Sequence, residues 1–121
     1  MLEDGEYRKA VLEHYQNPRN QGLLDDPDLR GSAENSSCGD RVVLTAKISE
    51  GRIVSIGQKS EGCLVSRAFA SMLSESLEGR KLSEIEGMDE EGFYELVGFE
   101  PRKARRNCAL VAFRALKECL R

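Results

Sequence analysis

Residues 41–60, RVVLTAKISEGRIVSIGQKS, decide the fold of this chain. From position 41 to position 48 the side chains alternate between two faces, which predicts a half-buried strand. One face carries Val42, Leu44, Ala46 and Ile48, and the other carries Arg41, Val43, Thr45 and Lys47. Residues 49–51, SEG, are typical of a hairpin connection. The residues after them predict a returning strand with Val54 and Ile56 on one face.

Two longer helices are expected after the hairpin. The first begins near Leu64 and ends before Gly79, which suits the position after a helix C-cap. Its apolar stripe is Val65, Ala68, Phe69, Met72, Leu73 and Leu77. The second begins near Pro101 or shortly after it and runs to the end of the sequence. Its apolar positions are Cys108, Val111, Ala112, Ala115, Leu116 and Cys119.

Between these helices, residues 82–100 predict one or two short acidic helices, with Ser83 and Asp89 as candidate N-caps and Ser83 with Glu86 as a capping box. Upstream of the hairpin, a first helix is expected, ending before Pro18. Its apolar stripe is Tyr7, Val11, Leu12 and Tyr15. Residues 23–37 are polar and predict a loop with at most a short edge strand.

These elements predict one α+β domain over residues 1–121, with a small antiparallel sheet of about three strands and helices packed on one face. The length of 121 residues suits one continuous core. Hydrophobic residues make up 40% and charged residues 32%, which is typical of a soluble globular protein. No apolar run approaches the roughly 20 residues needed to span a bilayer, and the first residues do not resemble a secretory signal. A cytoplasmic protein without membrane contact is expected.

Charge is unevenly distributed along the sequence. The net charge of −3 argues against bulk nucleic-acid binding. Residues 82–100 contain seven carboxylates and no Lys or Arg, and residues 101–106, PRKARR, then bring four cations. Cations near a helix N-terminus cost on the order of 0.3 to 1 kcal/mol each. An anionic thiolate–metal site or the acidic patch of a protein partner would compensate for that cost.

Three of the four cysteines occupy the ends of predicted elements. Cys38 precedes a strand, Cys63 lies at a strand-to-helix junction, and Cys108 lies in the first turns of the last helix. Side chains at such positions can converge on one edge of a small domain. A helix N-terminus also favours the thiolate form of Cys63. Cys119 lies about 16 Å further along the last helix than Cys108 and is expected to pack in the core.

The sequence CGD at 38–40 adds a carboxylate to these thiols. Three sulfurs and one carboxylate oxygen complete a tetrahedral zinc site. The same set of Cys38, Asp40, Cys63 and Cys108 could hold a [2Fe-2S] cluster with a weaker, exchangeable fourth ligand. Gly39 lets the backbone bend so that both neighbouring side chains point to one centre. Any one of these residues alone would more often be structural, as would His14, which is expected at the surface or half-buried. The combination indicates a metal or cluster site.

Four stretches in this order resemble the U-type iron-sulfur cluster assembly proteins, the group of IscU, the NifU N-terminal domain and SufU. They are YRKAVLEHYQNPRNQG, SCGDRVVLTAKI, EGCLVSRAFASML and NCALVAFRAL. The resemblance covers nearly the whole chain and implies a three-stranded antiparallel sheet with helices on one side. It also implies that Cys38, Asp40, Cys63 and Cys108 are the cluster or zinc ligands.

The chain departs from both subtypes of this group. IscU-type members carry a histidine before the third cysteine and, just before that, an LPPVK stretch read by a chaperone. Here Asn107 and PRKAR (101–105) occupy those places. SufU-type members carry an insertion between the second and third cysteines, and the segment from Cys63 to Cys108 is too short to contain it. The subtype stays open.

The resemblance implies a scaffold that accepts sulfur from a cysteine desulfurase, assembles a [2Fe-2S] cluster and transfers it to apo-proteins. Cys108 is the expected sulfur acceptor, because the preceding cations would activate it and stabilise an anionic persulfide. The alternative is a SufU-like zinc-dependent sulfurtransferase that uses the same four residues. A structural zinc module is a third reading. Whether the chain is an enzyme is left open, although a non-enzymatic scaffold is favoured.

Overall fold

A computed structural model describes residues 4–121. Its elements, in chain order, are α1 (Asp4–Gln16), β1 (Leu29–Asn35), β2 (Asp40–Ser49), β3 (Arg52–Glu61), α2 (Leu64–Leu77), α3 (Leu82–Ile85), α4 (Glu90–Val97) and α5 (Arg106–Cys119). A 3₁₀ turn at Lys103–Arg105 precedes α5. The strands form one antiparallel sheet in the order β1-β2-β3. Helices α2 and α5 pack on the sheet, and α1 packs against α2. The predicted α+β class with three strands is confirmed.

The hairpin between β2 and β3 has a two-residue loop, Glu50–Gly51, in which both residues have positive φ. This loop matches the twist of the flanking strands. A register shift beside Lys47 and Ile48 then leaves Val54 without a partner on β2. Val54 is 58% exposed, whereas Ile53 pairs with Ile48 and is buried. The prediction that Val54 and Ile56 share a face is therefore wrong, because the β-bulge at Val54 interrupts the alternation of the strand.

Strand β2 is buried on both faces in its middle, and the prediction of a half-buried strand is wrong there. Val43 and Thr45 are buried together with the predicted core face. Segment 20–24 runs beside β3, where the Leu24 N–H donates to Thr45 Oγ1 at 3.1 Å. The Thr45 hydroxyl in turn donates to the Gly57 carbonyl at 3.1 Å. These bonds satisfy a buried hydroxyl that the alternation pattern placed in solvent.

Strand β1 is longer than the short edge strand expected within residues 23–37. Its inward positions are Leu29, Gly31 and Ala33, and the residues between them are exposed. A Cβ at Gly31 would lie 2.4 Å from the Ala115 carbonyl oxygen and 2.4 Å from the Cys119 amide nitrogen. Helix α5 therefore packs directly on the β1 backbone. Small residues make this close approach possible.

The two main helices follow the prediction, and the smaller elements do so in part. Gly79 follows the C-cap of α2 with φ +78°, and Asp89 caps α4 by accepting the Gly92 N–H at 2.8 Å. The Ser83 capping box is wrong, since α3 begins at Leu82 and its N-cap is Lys81. Backbone pairing of segment 79–82 with the hairpin fixes this earlier start, including Leu82 N–H to Gly51 C=O at 2.8 Å.

Helix α1 ends before Pro18 as predicted, but its buried face differs. Val11 is buried and Tyr7 half-buried, whereas Leu12 and Tyr15 are 41% and 37% exposed. His14 also lies on the inner face. It is 9% exposed and therefore buried, whereas a surface or half-buried position was expected. The predicted stripe is thus half correct. Of its two exposed members, Leu12 lines a groove described below.

Candidate metal and cluster site

One end of the sheet brings together the residues that the sequence singled out. Asp40 is the first residue of β2, and Cys38 lies in the turn before it. Cys63 follows the end of β3 and is the N-cap of α2. Cys108 lies in the first turn of α5. The loop before β2 and the N-termini of two helices therefore converge at one rim of the domain.

Three of the four candidate ligands form a compact set. One ligand atom from each of Cys38, Asp40 and Cys108 lies within 4.8 Å of the others. Cys63 is outside this set, but its backbone N–H donates to Asp40 Oδ1 at 2.9 Å. Cys38 is exposed and Cys63 is partly exposed, while Asp40 and Cys108 are buried. The four groups form one rim cluster of Cys38, Asp40, Cys63 and Cys108, with the Cys38 thiol at its exposed side.

Asp40 is the most constrained member of the rim cluster, with 1% of its surface exposed. Its Oδ1 accepts the Cys63 backbone N–H at 2.9 Å and the Ser66 hydroxyl at 3.1 Å. Burial by itself raises the pKa of Asp40, but hydrogen bonds from the Cys63 amide, the Cys108 and Cys63 thiols and the Ser66 hydroxyl together lower it. Asp40 is therefore ionised, which is the form that binds a metal.

Cys108 does not show the activation that the sequence predicted. Burial, followed by hydrogen bonds and charge from Cys63 and Asp40, raises the pKa of the Cys108 thiol to about 12. The cationic side chains at 102–106 are all exposed. Arg106 pairs with Glu90 of α4, which joins the basic segment to the acidic one. The exposed cations do not lower the pKa of this thiol, and the role of Cys108 as sulfur acceptor stays a prediction.

Cys119 has the structural role that was predicted for it. It is 7% exposed, and its Sγ lies 3.7 Å from the Leu44 carbonyl oxygen in the core. Burial, with a smaller contribution from Glu118, raises the pKa of its thiol to about 11. This thiol is therefore separate from the rim cluster.

Sequence reasoning missed two residues that shape the site, Ser66 and Gly62. Ser66 is fully buried and donates to Asp40. Gly62 has φ +116°, and a Cβ there would lie 2.2 Å from Asp40 Oδ1. The spacing Cys-x-x-Ser, with the cysteine at a helix N-cap, was the available signal for Ser66, because the third helical residue faces the cap.

The donor set suits a thiophilic metal. Zinc and iron-sulfur clusters both accept cysteine thiolates with a carboxylate oxygen in the remaining position. Ligand atoms around one tetrahedral zinc lie roughly 3.3 to 3.8 Å apart, given bonds of about 2.0 to 2.3 Å. Atoms within 4.8 Å of one another therefore need only small movements.

Residues 6–121 match the model of the NifU-like N terminal domain family. The chain belongs to this family. The recognised U-type group is thereby confirmed. As a family member the chain is 34% identical over 119 residues to an iron-sulfur cluster assembly scaffold protein IscU of Azotobacter vinelandii, covering 95% of this chain and 91% of that protein. It is also 30% identical to the zinc-dependent sulfurtransferase SufU of Bacillus subtilis, covering 93% of this chain and 87% of SufU.

A solved structure shares the fold of this NifU-like domain. The N-terminal NifU-like protein of Brucella abortus superimposes with a TM-score of 0.76 at 24% identity, covering 94% of this chain and 91% of that one. Within residues 4–121 no helix is both long and apolar enough to cross a membrane.

Proposed function

We propose that this chain is an iron-sulfur cluster assembly scaffold. It accepts sulfur from a cysteine desulfurase, assembles a [2Fe-2S] cluster on the rim cluster and passes it to apo-proteins. The observation that carries this proposal is the meeting of Cys38, Asp40 and Cys108 within 4.8 Å, with the Cys63 backbone N–H donating to Asp40 Oδ1 at 2.9 Å. Family membership and relatives named as scaffolds support the same function.

Cys38 is the thiol that a sulfur donor reaches first, because it is the exposed member of the rim cluster. Its thiolate attacks the outer sulfur of the donor's cysteine persulfide. The donor's S–S bond breaks, a new S–S bond forms on Cys38, and the donor leaves as a thiolate. Each delivered sulfur then needs two electrons to become sulfide, which ferrous iron and a thiol or redox-protein reductant supply.

A docking surface for the desulfurase lies beside the rim cluster. A groove of about 290 Å³ runs between α1 and the start of α2 and contains Tyr7, Leu12, Leu64 and Val65. Its charged lining residues, Arg8 and Arg102, are both cationic. Leu64 directly follows Cys63, so an acidic, apolar segment of the donor bound here would sit next to the thiols.

A zinc-dependent sulfurtransferase is the second candidate. The identity with SufU and the donor set of three thiols and one carboxylate favour it. Zinc would be held by Cys38, Asp40, Cys63 and Cys108 and would keep the thiols as thiolates. The exposed Cys38 would leave the metal to collect sulfur and would return after passing it on.

Anaerobic reconstitution with iron, cysteine and a desulfurase separates these functions. Visible absorption from a cluster that moves to an apo-ferredoxin is the expected result. Retained zinc together with a stimulated desulfurase would instead establish the sulfurtransferase. If no cluster forms and the desulfurase is not stimulated, the site is a structural zinc module. Metal analysis of the freshly purified protein identifies the ion carried at the start.

The sulfur acceptor is identified by mass spectrometry after one turnover with the desulfurase. The Cys38→Ser variant is expected to lose the added sulfur, and the Cys108→Ser variant to keep it. The opposite pattern would restore Cys108 as the acceptor. The Cys119→Ala variant is the matched control, since its thiol lies in the core.

A further inference from the structure

The carboxylate of Asp40 uses its two oxygens differently. Oδ1 accepts two hydrogen bonds, from the Cys63 backbone N–H at 2.9 Å and from the Ser66 hydroxyl at 3.1 Å. Oδ2 accepts a longer hydrogen bond from Asn35 Nδ2, at 3.4 Å. A carboxylate oxygen offers two lone-pair directions, so the two donors occupy Oδ1. Oδ2 is the oxygen left for a metal.

Ser66 connects two members of the rim cluster from a fully buried position. Its backbone N–H donates to Cys63 Sγ at 3.5 Å, and its hydroxyl also lies 3.0 Å from the Cys63 carbonyl oxygen. A hydroxyl has one hydrogen to donate, and an ionised carboxylate is the stronger acceptor. The hydroxyl of Ser66 therefore belongs mainly to Asp40.

We propose that Ser66 is a positioning residue that keeps Asp40 an exchangeable ligand bound through one oxygen. Occupation of Oδ1 prevents the carboxylate from turning both oxygens to the metal. The hydrogen bond also draws negative charge from the carboxylate and weakens its bond to the metal. This proposal rests on the proposed function, because it requires Asp40 to be a ligand. Ser66 thus helps to set the rate at which the bound metal or cluster leaves.

The test uses the full chain loaded anaerobically with Co²⁺, whose thiolate charge-transfer and ligand-field bands report the ligand set. Release to an excess of EDTA is followed by the decay of these bands. The Ser66→Ala variant is expected to release cobalt about tenfold more slowly, the lower end of the size of effect that outer partners of metal ligands have on binding. Its ligand-field bands are expected to shift as the second oxygen binds.

Three variants serve as controls. Ser66→Thr keeps the hydroxyl and is expected to release cobalt at the wild-type rate. Ser66→Val has the same shape without the hydroxyl, so the Thr and Val pair gives the same contrast if the alanine variant does not fold. Ser76→Ala removes a hydroxyl from the same helix that bonds only its own backbone, at the Met72 carbonyl, and is expected to change nothing.

A double-mutant cycle with Asp40→Ala shows whether Ser66 acts through Asp40. In the Asp40→Ala background, removal of the Ser66 hydroxyl is expected to leave the release rate unchanged. An equal slowing in both backgrounds, or unchanged or faster release in Ser66→Ala alone, would overturn this proposal only. A wild-type protein without thiolate–cobalt bands would overturn the proposed function and this proposal with it.

Discussion

At the scale of single residues, the Asp40 carboxylate occupies the space that a side chain at position 62 would need. A Cβ at Gly62 would lie 2.2 Å from Asp40 Oδ1, and the φ of +116° disfavours any side chain. We expect Gly62→Ala to lower the free energy of unfolding by about 2 kcal/mol or more and to weaken metal binding, because Asp40 must move. Urea denaturation and metal titration measure the two effects.

Gly79 provides the matched control for Gly62. Its φ is +78°, but no atom lies within 4 Å of a Cβ built there, and it follows α2 at the end away from Cys63. Gly79→Ala should therefore cost only the backbone strain, about 1 kcal/mol, and leave metal affinity intact. Equal losses of metal affinity in both variants would show that backbone strain, and not contact with Asp40, controls the site.

The single histidine is a second residue with a measurable consequence. His14 Nδ1 lies 2.7 Å from the Ser71 hydroxyl, which also accepts the Arg19 N–H at 2.9 Å. Burial, with Arg19 adding to it and Glu75 and Glu13 opposing it, lowers the pKa of His14. The folded state thus binds this proton less readily than the unfolded chain.

Stability should consequently fall as the pH drops below about 6.5, the value for an unfolded histidine, because protonation favours the unfolded state. Above that pH the contribution of His14 is constant. Urea midpoints between about pH 7.5 and about pH 5.5 measure the slope. The stability of His14→Gln should fall less steeply over this pH range. Its remaining pH dependence comes from the carboxylates, which both proteins share. An identical slope in the two proteins would mean that His14 does not titrate in this range.

At the scale of elements, the contact between β1 and α5 depends on Gly31. Any side chain there meets backbone atoms of α5 at Ala115 and Cys119, and backbone cannot yield as a flexible side chain can. We expect Gly31→Ala to lower the free energy of unfolding by about 2 to 3 kcal/mol. Chemical denaturation is the measurement. Gly5→Ala, in the open on α1, should be neutral or stabilising by about 0.5 to 1 kcal/mol.

How far the sequence predicted each element depended on which neighbour buries it. Helix α2 was predictable because its large apolar side chains repeat with the helical period. The length of strand β1 was underestimated because Gly31 and Ala33 bury little apolar surface. Their small size is explained only by the close approach of α5, which the local sequence does not show. The β-bulge at Val54 and the early start of α3 depend on backbone pairing between segments, which no local pattern records.

The site was predictable to a similar degree at this scale. The sequence identified three candidate ligands by their metal-binding side chains at the ends of predicted elements. The structure brings these three, Cys38, Asp40 and Cys108, together. The raised pKa of the Cys108 thiol was not predictable. Its main cause is burial, which is a property of the assembled fold, whereas the nearby cations are exposed.

At the scale of the whole molecule, the rim cluster joins three segments that are distant in sequence. It links the turn before β2 to the N-termini of α2 and α5. A metal bound to this arrangement binds the folded state preferentially, because the unfolded chain holds these ligands far apart. Metal binding should therefore raise the stability of the entire domain and not of one element alone.

The size of this effect follows from mass action. Zinc at about 100 times its dissociation constant adds about 2.7 kcal/mol to the free energy of unfolding. For a domain of this size that corresponds to a rise in Tm of roughly 10 °C, which thermal denaturation with and without a chelator measures. Cys119→Ala should retain the rise, because its thiol is in the core. Cys38→Ser should lose most of it, although Cys38 is exposed and contributes little to the metal-free fold. If Cys38→Ser kept the full rise, zinc would be binding without the turn before β2, and the four-ligand site would be incorrect.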